Sequence, residues 1–343
     1  MFDCLRATRA SVRDSHQRGA HSRRTDRAGR GRGPIPMGIG RSRQKIGRLL
    51  LVTLVATGIV GTVGTTPANA ASAIGILQFN MCGNVCTNDS IPTADAVVSS
   101  ITNHSPQPAF VMLEEVCRDQ YNEIWNLLPT YDGYFIKTVT GGCSGGSMDY
   151  GIAILTKTFS WTQLGPWKLP EQVGYTSDED RYLGCLQTST FGGSQPIVAC
   201  VTHISTNSHN QPGQVQFVAS KGSYYYNGHK VIVGGDFNLT PPVQSMNPMY
   251  DSAYSPTGSG IFNEADADPS TLSRTGGGAG STYNEYTVCG GNKKPCGYGK
   301  TYSPTSKIDY IFASDFDFTS RSADATYSTV SDHTPLWGLV TPT

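Results

Sequence analysis

Short apolar segments recur along the chain after residue 70, and polar residues follow each of them. Their lengths and their content of Val, Ile, Phe and Tyr are typical of buried β-strands. The predicted strands cover residues 74–80, 110–116, 150–155, 182–189, 196–204, 230–234, 308–313 and 336–340. Helical spacing of apolar residues predicts helices over 93–103, 120–128 and 214–226. This mixture predicts an α/β domain in which two packed sheets are covered by outer helices.

A stretch without periodicity interrupts this pattern between Ser252 and Ser303. It is rich in Gly, Ser, Thr and Asp, which favour turns over strands and helices. We therefore predict a long, elaborated loop here.

Charge divides the chain into two unlike parts. Residues 1–70 hold 13 Lys and Arg against three Asp, a formal charge of +10. Residues 71–343 hold 13 Lys and Arg against 23 Asp and Glu, a formal charge of −10. The first part is rich in Arg and Gly and poor in aromatic residues, so it cannot build a packed core. The composition excludes one globular fold over the whole chain and a mature protein that coats nucleic acid by charge alone.

The first part carries the features of a secretory signal peptide. An apolar run over 49–63 follows several basic residues, and Ala68-Asn69-Ala70 has the pattern of a cleavage site. We predict cleavage before Ala71, export by the general secretory route and a mature extracellular domain. A membrane anchor is the alternative, but the run is shorter than the roughly 20 residues that a span needs. Residues 1–36 precede Met37, itself a suitable signal start, so they are an over-extended start or a basic leader.

The cysteines agree with export. Eight of the nine lie after residue 70, and an even number in an exported chain predicts disulfides. Cys185 and Cys200 fall opposite each other across a predicted hairpin that turns at Gly192-Gly193-Ser194. Zinc binding is the competing interpretation, but the chain has no CxxC pair. The other predicted pairs are Cys82–Cys86, Cys289–Cys296 and, from the remaining two cysteines, Cys117–Cys143.

Polar residues that suit metal-assisted chemistry cluster where the predicted strands end. Carboxylate and amide oxygens bind hard cations such as Mg²⁺, Mn²⁺ or Ca²⁺, and histidines exchange protons near neutral pH. Together these groups suit the attack of water on a phosphate ester. Taken singly, each also has a plain role as a turn, cap or surface residue. The set comprises Asn80, Glu115, His203, Asp236, Asn238, Asp309, Asp332 and His333.

Seven short motifs surround these residues. They are QFN at 78–80, LEEV at 113–116, YGIAIL at 150–155, TH at 202–203, GDFN at 235–238, KIDYIF at 307–312 and SDHTP at 331–335. In wording and order they resemble the endonuclease/exonuclease/phosphatase superfamily, over nearly all of residues 74–340. The resemblance implies the deoxyribonuclease I-like fold, an α/β (α+β) four-layer sandwich of two packed, mostly antiparallel sheets flanked by helices.

The resemblance also implies a divalent cation, with Mg²⁺ expected and Mn²⁺ or Ca²⁺ as alternatives. Glu115 would be its principal ligand, helped by Asn80 and Asp332. Asp236 and Asn238 would position the attacking water and the phosphate.

Two histidines are assigned to the phosphate by the same resemblance. His333 would act as a base or as a charged phosphate contact, oriented by Asp309. His203 would flank the phosphate from the other side as an acid or an electrostatic stabiliser. Asp149 is the candidate partner of His203, with a plain loop position as the alternative. Whether Asp236 or His333 takes the proton stays open.

Two positions depart from the family pattern. Glu114 stands where the family usually has Gln before the metal-binding Glu. Because neighbouring strand residues face opposite sides, we expect Glu114 to point away from the metal. His203 stands where abasic-site endonucleases tend to carry Tyr, so the chain is more similar to the deoxyribonuclease, sphingomyelinase and inositol-phosphatase branches.

The resemblance implies hydrolysis of a phosphoester, and the substrate is a further hypothesis. We expect an extracellular nuclease that acts on DNA or RNA, as a monomer that does not stay in a membrane after signal cleavage. A basic stretch with interleaved aromatic residues would line a nucleic-acid groove or form a solvated loop. Its members are Lys293, Lys294, Tyr298, Lys300, Tyr302 and Lys307.

Two other functions compete with the nuclease hypothesis. A phospholipid phosphodiesterase or phosphatase would use exposed aromatic residues to touch a membrane, with Trp161, Trp167 and Tyr224–Tyr226 as candidates. A non-catalytic binding protein on the same fold is the third hypothesis. Such a protein is expected to lose motif residues, and all of them are present here.

Overall fold

The computed structural model describes residues 72–343 except for 87–90, 144–145, 178, 192, 194, 268–271, 275–287, 290–303 and 327–329. The leader and signal peptide predicted over 1–70 lie outside the described residues. The helices are α1 (Ile91–Asn103), α2 (Arg118–Leu127) and α3 (Gln211–Tyr226). In the described part of the chain, no helix has the length and apolar character needed to cross a bilayer. The strands are β1 (Ile74–Asn80), β2 (Phe110–Cys117), β3 (Asp132–Cys143), β4 (Met148–Thr156), β5 (Thr162–Lys168), β6 (Tyr182–Thr188), β7 (Ile197–His203), β8 (Lys230–Asp236), β9 (Phe262–Glu264), β10 (Val288–Cys289), β11 (Pro304–Ser306), β12 (Asp309–Ser314), β13 (Phe318–Ala325) and β14 (Leu336–Pro342).

Most of the strands form two six-stranded sheets. Their orders are β13-β14-β1-β2-β4-β3 and β5-β6-β7-β8-β12-β9, with β10 and β11 as a separate pair. Within the two sheets, β1 with β2 and β7 with β8 are parallel, and the other neighbouring strands are antiparallel. A parallel pair requires a crossover connection, which α1 supplies for the first pair and α3 for the second.

Strand alternation sorts the apolar residues into layers. In β1, Ile76 faces the other sheet, whereas Leu77 and Phe79 face helices α1 and α2. Helix α3 packs on the outer face of the second sheet through Val215 and Val218. The order of layers is helices, sheet, sheet, helix. The predicted fold class, a four-layer sandwich of mostly antiparallel sheets, is confirmed.

Three of the four predicted disulfides are present. Cys185 and Cys200 face each other in the register of β6 and β7, with their Cα atoms 4.0 Å apart. The fourth pair rests on Cys296, which lies outside the described residues. The bonds found are Cys82–Cys86, Cys117–Cys143 and Cys185–Cys200.

The segment predicted as a long loop after Ser252 is partly built into the second sheet. β9 pairs with the edge of β12, and Phe262 is fully buried against Phe312. The predicted loop is wrong here because three paired residues are too few to show a period of two. The rest of this segment is described over 252–261, 265–267, 272–274 and 288–289, the last of which is β10.

Candidate active site

The central strands carry polar residues at one end of the space between the two sheets. From the middle of each strand toward this end, the residues that face the other sheet change from apolar to polar. In β7 the inner face runs through Ala199 and Val201 to His203, and in β8 it runs from Ile232 to Asp236. The inner-face residues at this end are Asn80 of β1, Glu114 of β2, His203 of β7, Asp236 of β8 and Asp309 of β12.

Strand register places Asp236 at the centre of this group. β7 sets His203 beside Asp236, and β12 sets Asp309 on its other side. Gly235 allows the backbones of β7 and β8 to pack closely, because a Cβ atom at this position would lie only 2.1 Å from the Thr202 carbonyl oxygen. The three functional side chains therefore stand in one row across three neighbouring strands.

The Asp236 carboxylate is the meeting point of both histidines. Its Oδ2 accepts a hydrogen bond from Asn80 Nδ2 at 3.1 Å. The same oxygen lies 3.5 Å from His203 Nε2 and 3.8 Å from His333 Nε2. Burial, reinforced by the charge of Asp309, raises the pKa of Asp236 to about 7. The carboxyl group can therefore gain or lose a proton near neutral pH.

His333 is held in its charged form. Its Nδ1 lies 2.7 Å from Asp309 Oδ2, and its backbone N–H donates to Ser331 Oγ. Burial opposes the charge, but the carboxylates of Asp309, Asp236 and Asp332 outweigh it and raise the pKa of His333 well above its usual value. At neutral pH both ring nitrogens are therefore donors, and Asp309 fixes the orientation of the ring.

His203 has the opposite electrostatics. Burial, with the positive charges of Arg181 and His333, lowers the pKa of His203 well below its usual value. Its Nε2 lies 4.0 Å from Glu115 Oε1 as well as 3.5 Å from Asp236 Oδ2. The ring is therefore neutral at neutral pH. A charged imidazole, His333, and a neutral one, His203, therefore lie beside the same carboxylate, that of Asp236.

The predicted pairing of Asp149 with His203 is not found. Among the described residues, His203 Nδ1 has no hydrogen-bond partner. Asp149 precedes Tyr150, whose buried ring lies beside Glu115 and has its pKa raised by burial and by that carboxylate. Because neighbours in a strand face opposite sides, Asp149 points away from the site.

A β-bulge separates the two adjacent glutamates. The register of β2 against β4 shifts at this point, and Glu115 has a φ of +53°. Glu114 stays on the inner face, fully buried, where Gln78 Nε2 donates to it at 2.8 Å and to Asp309 Oδ1 at 3.0 Å. Glu115 instead reaches the open edge of the site, where its side chain is 22% exposed. Glu114 thus lies beneath the site, linked to Asp309, and not at its mouth.

The mouth of the site has the ligand types of a hard-cation site. Asn80 Nδ2 donates to Glu115 Oε1 at 3.1 Å, and Asn80 Oδ1 accepts the backbone N–H of Cys82 at 2.9 Å. Burial raises the pKa of Asp332, and the charge of Glu115 adds to this effect. Carboxylates that repel one another in this way favour a bound cation. Glu115 and Asp332 would supply carboxylate oxygens to it, and Asn80 Oδ1 retains a second lone pair.

A second acidic group lies deeper. Single ligand atoms of Asp236, Asp309 and His333 all lie within 4.8 Å of one another. The hydrogen bond between Asp309 and His333 already engages this group. This deeper group therefore suits proton transfer better than metal binding. The residues at the mouth of the site are the better candidates for cation ligands.

Asn238 is tied to the loop that follows β7. Its backbone N–H donates to Asp236 Oδ1 at 2.8 Å, and its Nδ2 donates to the Ile204 carbonyl oxygen at 2.9 Å. Gln211 Nε2 in turn donates to the Asn238 carbonyl oxygen at 3.0 Å. In this arrangement Asn238 holds the Asp236 carboxylate in place through its backbone.

The sequence model of the Endonuclease/Exonuclease/phosphatase family matches residues 77–333, a range that contains every site residue described above. The chain belongs to this family. It is therefore a phosphoesterase, and enzymes of this family generally use divalent cations. No curated protein matches the chain significantly.

Solved structures share the fold at low sequence identity. An endonuclease/exonuclease/phosphatase from Bacteroides vulgatus is 16% identical with a TM-score of 0.56, covering 79% of this chain and 100% of that chain. The human Nocturnin catalytic domain with bound sulfate is 18% identical with a TM-score of 0.57, covering 79% and 94%. The Bacteroides thetaiotaomicron mannosyl-6-phosphatase is 14% identical with a TM-score of 0.54, covering 78% and 99%. These similarities concern the fold alone.

Two residues of this phosphoesterase site escaped the sequence analysis. Gln78 lies in the QFN motif, and strand alternation from Asn80 was the available signal for its inward position. Arg181 precedes the buried strand β6, which pairs with the His203 strand. Its charge acts on the His203 ring, and its Nη2 lies 3.1 Å from Glu179 Oε2. A basic residue directly before that strand was the available signal.

Lys307 does not belong to a nucleic-acid groove. Its side chain is fully buried, 2.8 Å from Glu264 Oε1 and 2.8 Å from Asp266 Oδ2. The sequence prediction is wrong at this position because the acidic partners come from the segment that the sequence predicts as a loop. The other five members of the predicted groove lie outside the described residues.

Proposed function

We propose that this phosphoesterase is a secreted, divalent-metal-dependent phosphodiesterase that acts on DNA or RNA. The observation that carries the proposal is the pair of differently charged imidazoles at the Asp236 carboxylate. Hydrolysis of a phosphodiester needs a group that takes a proton from water and a group that stabilises the charge of the phosphoryl oxygens. Asp236 and His333 are suited to these two tasks.

The roles follow from the charge of each group. Asp236, with a pKa of about 7, is the proton acceptor, because a base works best when its pKa lies near the working pH. His333 is protonated, so it contacts the phosphoryl oxygens as a cation, and Asp309 keeps its ring in place. Neutral His203 contacts the phosphate from the opposite side of Asp236. A cation at Glu115 and Asp332 would neutralise a phosphoryl oxygen when bound.

Arg181 supports a negatively charged substrate. It is 9% exposed, and among the described residues its Nε and Nη1 have no hydrogen-bond partner. Buried N–H groups without a partner cost about 1–3 kcal/mol each. A phosphate oxygen in the adjacent site would relieve this cost.

Of the aromatic residues that a phospholipid phosphodiesterase would expose, the two tryptophans are packed, whereas Tyr224 is 71% exposed. Trp161 stacks on Tyr134 and donates its Nε1–H to Asp132 at 3.0 Å. Trp167 packs against Tyr225. The packing of the two tryptophans leaves no exposed aromatic hairpin at these positions, which favours the nuclease over the phospholipid hypothesis.

One activity panel on the mature protein tests the proposal. The substrates are plasmid DNA, RNA, sphingomyelin, a phosphoinositide and bis-p-nitrophenyl phosphate, each with Mg²⁺, Mn²⁺, Ca²⁺ or chelator. We expect metal-dependent hydrolysis of nucleic acid and of the model diester. If a phospholipid is hydrolysed and nucleic acid is not, the substrate assignment is wrong. N-terminal sequencing of protein from the culture medium should begin at or near Ala71, and an intact 49–63 segment would contradict secretion by cleavage.

A further inference from the structure

A polar cleft of about 300 Å³ opens next to the reaction centre. Its lining includes Ser205, which follows the His203 strand, and Arg181, whose charge acts on the His203 ring. Hydroxyl and amide side chains of Thr176, Ser177 and Asn207 supply most of the remaining wall. The cleft has the volume of a small ligand site and offers many hydrogen-bonding groups.

The guanidinium of Arg181 is held at this cleft by one ion pair, and some of its N–H donors remain available to a ligand. Glu179 engages its Nη2, and Thr138 Oγ1 donates to the other oxygen of Glu179 at 2.9 Å. In the described part of the chain, Nε and Nη1 of Arg181 make no hydrogen bond. The residue therefore connects the cleft to the phosphate position as an anion contact.

An aromatic stack, here called the rim, lies on the two loops that supply much of the cleft lining. The rings of Tyr175 and His209 lie 3.7 Å apart with an interplanar angle of 18°. Both residues are exposed, Tyr175 at 38%. They come from two different loops, and each is close in sequence to lining residues, Thr176 for Tyr175 and Asn207 for His209. Ring surface is thus presented to solvent beside a cleft lined with hydrogen-bonding groups.

Buried amides fix this rim in place. Asn210, 1% exposed, accepts the backbone N–H of Gln172 at 2.8 Å and donates to the Tyr175 carbonyl oxygen at 2.8 Å. Gln214, 0% exposed, donates to the Pro170 carbonyl oxygen at 3.2 Å. A ring on a loop held in this way loses little freedom when a flat ligand stacks on it.

We propose that this cleft and its rim form a subsite for an unpaired nucleotide next to the scissile phosphate. The base would stack on the ring surface of Tyr175 and His209, the sugar would meet the hydroxyl and amide wall, and Arg181 would contact the backbone phosphate. Stacking of this kind requires a base that is free of its partner strand, so the subsite favours single-stranded over duplex substrate. The proposal rests on the nuclease function proposed above and specifies its substrate.

The test compares Tyr175→Ala with Tyr175→Phe and with Tyr224→Ala. Tyr224 is 71% exposed on α3, outside the cleft, and serves as the matched surface control. For a single-stranded oligonucleotide, Tyr175→Ala should raise KM by about 5- to 100-fold with a smaller change in kcat, because base stacking contributes to binding. Tyr175→Phe should restore most of the affinity, and Tyr224→Ala should behave as the wild type.

A binding measurement in chelator completes the design. A single strand that contains 2-aminopurine should lose fluorescence on wild-type protein, through stacking, and much less on Tyr175→Ala or His209→Ala. If nucleic acid is cleaved but Tyr175→Ala matches Tyr224→Ala in both assays, or if duplex is preferred, the subsite is wrong and the nuclease function stands. If the wild type hydrolyses bis-p-nitrophenyl phosphate but no nucleic acid, the proposed function itself fails. Thermal melting of each variant checks that it is folded.

Discussion

Two clusters of buried charge lie near the start of β12, and they differ in how their charge is balanced. Lys307 lies 2.8 Å from a carboxylate oxygen of Glu264 and 2.8 Å from one of Asp266, so a cation of the protein itself closes this cluster. Two residues later, Asp309 belongs to the candidate active-site cluster, in which several carboxylates face the charged ring of His333. The other carboxylates there are Glu114, Glu115, Asp236 and Asp332.

A raised pKa does not distinguish the two clusters. Burial raises the pKa of Glu264 to about 7 and that of Asp236 to about 7. Access does distinguish them, because the side chains of Lys307 and Glu264 are 0% exposed whereas Glu115 is 22% exposed. In the closed cluster, the lysine offsets the cost of burying the two carboxylates. An open cluster with excess negative charge can receive a cation and a phosphate.

The largest effect should come from removing the charged ring of the open cluster. His333→Ala should lower phosphodiester turnover by about 10²–10⁴-fold while the protein stays folded, because it removes the cation that contacts the phosphoryl oxygens. The measurement is kcat on bis-p-nitrophenyl phosphate together with the thermal midpoint. His229→Ala is the control. His229 precedes the first residue of β8, whereas Asp236 is the last, and the ring of His229 is hydrogen-bonded to the Tyr225 carbonyl oxygen. Near-normal turnover in His333→Ala would remove this residue from the chemistry.

Breaking the closed cluster should instead affect stability. Lys307→Met leaves two buried carboxylates without their cation and should lower the free energy of unfolding by about 3–5 kcal/mol. Urea unfolding at neutral pH measures the change. Lys168→Met is the matched control, since its pair with Asp180 is 50% and 42% exposed and should contribute less than about 1 kcal/mol. Equal effects of the two variants would show that the Lys307 cluster is not a structural element.

The sequence predicted the interior of both sheets, and its misses are all at their edges. Within these two sheets, the strands that it missed, β3, β5, β9 and β13, are the four edge strands, and it also missed the separate pair of β10 and β11. β9 is buried but has only three residues. The other edge strands contain exposed polar positions, so they lack the apolar pattern that predicts a buried strand. β5, for example, has no buried residue.

In the candidate site too, some positions could be predicted from the sequence and others could not. Asn80, His203 and Asp236 end their strands and Asp309 begins β12, so each is a polar terminal residue of a mostly apolar strand, which the sequence indicates directly. The bulge at Glu115 does not follow, because it depends on how β2 pairs with β4. Pairings between distant segments, such as Lys307 with Glu264, are likewise decided by tertiary contacts.

A change at the mouth of the open cluster should separate metal binding from proton transfer. Glu115→Gln keeps the shape of the side chain but removes the charge that holds a hard cation, so metal affinity should fall by about 10- to 100-fold. Turnover at limiting metal should fall with it, and excess metal should recover part of it. Calorimetric titration and kcat measure both, and His333→Ala should leave metal affinity largely intact. Normal metal binding in Glu115→Gln would contradict the metal assignment.

The smallest expected effect is a pH dependence. Asp236 and Glu264 both have a pKa of about 7, but the first should affect activity and the second stability. Asp236 carries a proton below about pH 7, so kcat/KM at limiting metal should fall about tenfold from pH 8 to pH 6 as the base is lost. Glu264 binds its proton more tightly in the folded state, where its pKa is about 7 and not 4.5. Its contribution to the free energy of unfolding is therefore full below about pH 4.5 and is lost as the pH rises through about 7.

Glu264→Gln tests whether activity and stability titrate separately. The variant cannot ionise at this position, so the decline in unfolding free energy between pH 5 and pH 8 should become shallower, while the midpoint of the kcat/KM profile stays near 7. Burial raises the pKa of Asp236 in the same direction, so part of the stability slope should remain. Urea unfolding and initial rates across the same buffers give both curves. A shift of the activity midpoint in Glu264→Gln would mean that the two clusters are electrostatically coupled and that the closed cluster also tunes the base.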